Sequence, residues 1–143
     1  MPSGEPLSTR SLAHAWLAAV REGGLSGSAA AALTSADFRL NLPRSLAPFL
    51  AGVDLDTPPA RFPDVDAALK ARLDLPGCEV LKVAYDVFQG DRGGVQAELR
   101  LKTVNGDAFG ALAAVTFLRS GDKLAAVWVH ADTSDIVAAL AGD

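Results

Sequence analysis

Residues 79–131 constrain the fold of this chain more than any other stretch. Four strand-like segments, Glu79–Gln89, Val95–Val104, Ala108–Arg119 and Leu124–Ala131, follow one another with only short breaks between them. The breaks are Gly90-Asp91-Arg92-Gly93-Gly94, Asn105-Gly106-Asp107 and Ser120-Gly121-Asp122. Asn-Gly and Gly-Asp are strong hairpin signals, because glycine reaches the positive φ that tight turns need. The C-terminal half therefore reads as an antiparallel meander. Strands of about ten residues exceed the usual length and must twist and curl.

The N-terminal half has helical periodicity instead. Ser8 or Thr9 can cap a first helix, in which Leu12, Trp16, Leu17 and Val20 recur at helical spacing before Gly23-Gly24 stops it. A second, Ala-rich helix is expected from about Ser26 to Leu33, capped by Ser26 or Ser28. Phe38-Arg39-Leu40-Asn41-Leu42 alternates strictly and meets Pro43, so it reads as a short strand. Pro43 to Pro63 is a proline-rich loop of the kind that forms a lid or mouth. Asp64 can cap a third helix over Val65–Leu73, and a last turn of helix is expected over Ser134–Leu140. Helices followed by one curled meander make an α+β plan: a cone-shaped, curved antiparallel sheet wrapped by N-terminal helices, enclosing an apolar pocket. The 143 residues suffice for one such domain, spanning 1–143.

Composition excludes several function classes. The net charge is −4 and no basic run or aromatic-interleaved basic stripe exists, so nucleic acid is not an expected partner. No apolar stretch approaches a membrane span, and Met1–Leu7 lacks the apolar region of a signal peptide, so a cytoplasmic protein without a membrane partner is expected. Cys78 is the single cysteine, which rules out an intrachain disulfide and reads as a structural thiol. His14 and His130 lie on separate elements with no cysteine cluster, so no metal site is expected. Gly90–Gly94 joins two strands and lacks the helix N-terminus that holds phosphate. No cofactor is expected.

Three stretches together resemble the nuclear transport factor 2-like superfamily, which includes ketosteroid isomerases, SnoaL-like polyketide cyclases and limonene epoxide hydrolases. Ala15–Gly24 resembles the first helix and its ending. Leu33–Pro43 resembles the start of the first strand. Gly121-Asp122-Lys123-Leu124 with Trp128 and Asp132 resembles the close of the sheet. The order covers nearly the whole chain and implies the fold; the fold alone does not imply an activity.

Carried over residue by residue, the resemblance argues against a ketosteroid isomerase and leaves an epoxide hydrolase as a less favoured alternative. The carboxylate base of a ketosteroid isomerase would fall on Leu42, its tyrosine donor on Trp16 and its protonated acid near Leu112 or Ala113, and none of the three matches. The Arg-x-Asp of an epoxide hydrolase would fall on Gln96 and Glu98, and its second Asp near Val129 or His130; Gln supplies no charge. Pro58-Pro59-Ala60 resembles a hydrolase loop in three residues only.

What remains is an apolar container with few polar groups. Trp16, Leu17, Phe38, Leu40, Leu42, Leu99 and Leu101 are expected to line it, on the first helix, the first strand and a central strand. On the last strand Trp128 and His130 share one face, and strand parity decides whether that face is inward. If it is, the pocket holds an indole, an imidazole and Asp132 at its rim; if not, that wall is aliphatic. The inward parity is favoured because a Trp seeks burial. His130 then serves as the acid–base group, oriented by Asp132, while His14 is a solvated residue. Val95, Ala97, Leu99 and Leu101 form an apolar inner row and Gln96, Glu98, Arg100 and Lys102 a solvated outer one. Tyr85 and Asp86 face opposite ways, so one of the two enters the cavity, and a buried Asp86 needs a partner.

Two functions compete. A cofactor-free cyclase, isomerase or lyase would act on a small hydrophobic, polyketide-type molecule, by proton transfer or by holding it in a reactive conformer. A non-catalytic ligand-binding or dimerisation module would need only the container. The first is favoured. In either case a homodimer through the outer sheet face is expected.

Overall fold

The computed structural model describes residues 8–50, 52, 56–131 and 138. Helix α1 (Thr9–Gly23) starts where the Ser8 hydroxyl accepts a hydrogen bond from the Ser11 amide. It ends at Gly24, whose φ of +81° only glycine adopts without strain. A Cβ there would also stand 2.9 Å from the Asp66 carboxylate. That carboxylate, on α3 (Phe62–Arg72), accepts from the amides of Leu25 and Ser26 at 2.8 Å each and from the Ser26 hydroxyl. The corner after α1 is thereby pinned to α3. Helix α2 is only Ser28–Ala31, shorter than its alanine content implies, and neither Ser26 nor Ser28 caps it. Asp64 likewise does not cap α3; it pairs with Arg61 at 2.9 Å.

The meander forms as expected, from β2 (Glu79–Gln89), β3 (Arg92–Lys102), β4 (Ala108–Ser120) and β5 (Lys123–Ala131). The first turn is tighter than its glycines imply: Gly93 and Gly94 belong to β3. A Cβ at Gly93 would sit 2.1 Å from the Phe88 ring, so this glycine lets the ring lie across the neighbouring strand. Strand β1 (Thr34–Asn41) adds beside β5 and runs parallel to it, giving the order β1-β5-β4-β3-β2. The five-stranded sheet is therefore mixed and not wholly antiparallel, because α1, α2 and their corner return the chain to the far edge before the meander begins.

The register fixes two faces. Val95, Ala97 and Leu99 of β3 oppose Val115, Ala113 and Ala111 of β4, and β4 in turn sets Phe117 and Val115 against Val127 and Val129 of β5. Helix α1 covers this face over its β1, β5 and β4 part. Trp16 is 4% exposed and its ring meets Phe38 at 6.0 Å and Phe117 at 6.2 Å; Phe38 in turn meets Phe62 at 5.9 Å. Aromatic clusters of this kind dominate a small core, each ring burying about 150–250 Å². The described part of the proline-rich loop forms short turns at Arg44–Phe49 and Pro59–Arg61 and is tied to the edge of β1 by Leu40–Thr57 hydrogen bonds of 3.0 and 2.7 Å. The expected Ser134–Leu140 helix and Asp132 lie outside the described residues.

A candidate site in the cleft between the first helix and the open half of the sheet

Toward β2 the helix no longer seals the sheet. A cleft of about 790 Å³ opens between α1 and the inner faces of β2, β3 and β4. Leu17 and Ala18 form one wall, Val83, Val95, Ala97 and Leu99 the other, and Leu75-Pro76 stand at the mouth. A continuation of about 230 Å³ runs toward α3 past Val20, Leu69, Cys78 and Leu101. Val80 and Val83 are half-exposed although they lie on the inner face, so none of the described residues packs a lid over this half of the trough. The expectation that residues 43–63 form the mouth is corrected: none of the described ones lines this cleft, because the loop is hydrogen-bonded to β1 at the opposite edge.

Polar groups stand at both ends of the cleft, Arg21 and Glu22 at one and His14 at the other. Arg10 and His14 lie one turn apart on α1 and both reach Asp86 of β2. Arg10 Nε is 3.0 Å from Asp86 Oδ1, and His14 Nε2 is 2.5 Å from Asp86 Oδ2. Thr9 fixes the helix above them by donating its hydroxyl to the Gly90 carbonyl at 2.6 Å. The Arg10 guanidinium also lies 5.6 Å from the Phe88 ring centre, and His14 packs at 6.3 Å from that ring. Partial burial raises the Asp86 pKa, but hydrogen bonds and charge from Arg10 and His14 outweigh it and hold the carboxyl below the ordinary aspartate value. An ionised carboxylate only accepts, so Nε2 carries the proton in this pair. In the neutral ring Nδ1 is then the nitrogen able to take a proton. His14 lines the cleft and is 43% exposed, against 27% for Asp86.

The sequence reading of the site is thus corrected in part. Leu17, Leu99 and Leu101 do line the cleft. Trp16, Phe38 and Leu40 do not; they are core residues under the closed half of α1. Leu42 is buried beside Asn41 and Pro43 at the β1 edge, in a separate shallow depression of about 240 Å³. Trp128 pairs with Thr116 and His130 with Ala114, and both point to the outer face, because Val127 and Val129 hold the inward parity against Phe117 and Val115. Among the described residues His130 makes one hydrogen bond, with the Thr116 hydroxyl at 3.5 Å, and with Trp128 it borders the depression that holds Leu42. Placed there, His130 cannot reach a ligand in the cleft, and Trp128 is 36% exposed. The position of Asp86 meets the expectation that an inward carboxylate has a partner, and Tyr85 faces out. His14, expected to be solvated, is partly exposed and also lines the cleft. Its signal was the spacing Arg10, His14, Leu17, Ala18, Arg21, one continuous helical stripe beside the one that carries Leu12 and Trp16.

Among the described residues no group of three or more His, Cys, Asp or Glu side chains could hold a metal ion, and no helix is long and apolar enough to cross a membrane. No protein-family model and no curated protein sequence matches the chain. Solved structures do. A protein of unknown function from Burkholderia pseudomallei, described as NTF2-like, superposes with a TM-score of 0.77 at 15% identity, covering 94% of this chain and 98% of that one. TerC, co-crystallised with polyporic acid, gives 0.75 at 17% identity over 94% and 100%. A polyketide cyclase, so named provisionally, from Pseudomonas putida gives 0.68 at 18% over 94% and 98%. The chain has the nuclear transport factor 2-like α+β fold.

Proposed function

We propose that this nuclear transport factor 2-like chain binds a small hydrophobic molecule in the cleft and moves a proton on it without a cofactor, as a cyclase, isomerase or lyase would. The observation that carries this reading is the His14–Asp86 pair at one end of a cleft with aliphatic walls. His14 is the acid–base group, taking or giving a proton at Nδ1. Asp86 is a positioning residue: it selects the tautomer and stabilises the ring when it is charged. Apolar walls strengthen such electrostatic contacts by excluding water. Two neighbours in fold add support of a general kind, since one was crystallised with polyporic acid and one is named for polyketide cyclisation.

The test uses 5-nitrobenzisoxazole, whose ring opens when a base removes its C3 proton and the N–O bond breaks to give a cyanophenolate. The protein is expected to speed this reaction over buffer at equal pH. His14→Gln abolishes the acceleration, while the fluorescence of the neutral probe N-phenyl-1-naphthylamine in the cleft is retained. Probe binding with no acceleration by the native protein would leave a ligand-binding module, the second reading, which the aliphatic walls of the cleft favour.

We infer in addition that two copies pair through the outer sheet face. Tyr85, Val87, Leu112 and Trp128 are large apolar side chains exposed on that face, next to the polar row Glu98, Arg100 and Lys102. Apolar groups gathered this way mark association surfaces. Sedimentation at micromolar concentration decides it, with dimer expected and monomer alone as the contrary result.

A further inference from the structure

Arg21 stands at the last turn of α1, where both parts of the cleft meet. It also borders a third, more polar recess beside Lys70 and Asp74. Its one hydrogen bond among the described residues is a long one, 3.3 Å from Nη2 to the Cys78 carbonyl, and it has no ion pair there. A guanidinium carries five N–H donors in a planar fork, so most of its capacity faces the cleft mouth unused.

Three of the acids around it are engaged elsewhere. Asp66 holds the Leu25 and Ser26 amides. Glu79 pairs with Arg100 at 3.3 Å, and Asp74 with Lys102 at 3.7 Å. Glu22, the next residue along the helix, lines the same cleft on its mouth side. The other cation at the cleft, Arg10, is already neutralised by Asp86 at the opposite end. The walls between the two ends are aliphatic, so a bound molecule meets a base at one end and an unneutralised cation at the other.

Resting on the proposed ligand cleft, we propose that the ligand is a small organic acid: an apolar body lying along Leu17, Ala97 and Leu99, with one anionic oxygen group held by Arg21. The fork geometry of Arg21 suits a carboxylate, a sulfonate or an acidic enolate. A cation at the end of a helix also has a purely local role, favouring the helix dipole. That role does not distinguish charged from neutral ligands, and so the two are separable.

A matched probe pair makes the separation. 8-Anilinonaphthalene-1-sulfonate and N-phenyl-1-naphthylamine share their ring system and differ by the sulfonate. Both are titrated by fluorescence against the native protein, Arg21→Gln, Arg21→Lys and Ala113→Phe. Ala113→Phe places a ring in the cleft and is expected to reduce both probes, which locates them. The native protein is expected to prefer the sulfonate probe. Arg21→Gln weakens that probe about tenfold, the order of one partly desolvated charge pair, and leaves the neutral probe within about twofold. Arg21→Lys restores part of the difference. Equal loss of both probes in Arg21→Gln, or no preference in the native protein, overturns the assignment of Arg21 while the cleft itself stands. Failure of both probes to bind overturns the cleft reading and this inference together.

Discussion

The two halves of the inner sheet face belong to one sheet and share a covering helix, yet one is core and the other a cleft. Over β1, β5 and β4, α1 presents Leu12 and Trp16, and the rings of Phe38 and Phe117 close on the indole. Over β2 and β3 it presents His14, Leu17, Ala18 and Arg21, and the sheet answers with Val83, Ala97 and Ala113. Small and branched aliphatic side chains span less distance than indole and phenyl rings. The gap they leave is the cleft. Side-chain size on two stripes of one helix therefore sets where packing ends and binding begins.

The largest expected effect tests the closed half. Phe38→Ala removes a fully buried ring and should cost about 3–5 kcal/mol in urea unfolding, whereas Leu99→Ala, on the cleft wall, should cost less than about 2 kcal/mol and weaken the neutral probe. Similar unfolding costs for the two would erase the distinction between core and cleft.

Next in size is the pair that links the helix to the open half. Asp86→Asn should cost about 1 kcal/mol at neutral pH, as expected of a partly exposed ion pair. The sign with pH follows from the lowered folded pKa of Asp86. Its contribution is complete above the unfolded aspartate value of 3.8 and fades as pH falls through the folded value. Native protein should thus lose stability on acidification below about pH 4 more steeply than Asp86→Asn does. Parallel pH profiles would show that the pair does not hold α1 to β2.

Val87→Lys, on the outer face, should shift sedimentation from dimer toward monomer while changing monomer stability by no more than about 0.5 kcal/mol. The smallest effect expected is that of His130→Ala. It should leave benzisoxazole ring opening within about twofold of native, in contrast to His14→Gln. A large loss in His130→Ala would return the acid–base role to the last strand.

The sequence by itself determined the meander. Its strands lie within a residue or a few of the observed ones because glycine turns and alternating apolar residues are local signals. It also determined the apolar inner row Val95–Leu101 and the start of α1 at Ser8. Tertiary structure decided the rest. Which way Trp128 and His130 face depends on the register of β5 against β4 and β1, and one residue of slip inverts it. The bulge between Leu118 and Arg119 is such a slip, set by partner strands and invisible in the alternation of β5 alone. His14 and Asp86 are 72 residues apart, and only the docking of α1 on β2 brings them together. Short-range periodicity could assign each a face but not a partner. That is why the sequence reading put the acid–base expectation on His130, whereas the structure sets His14 against Asp86.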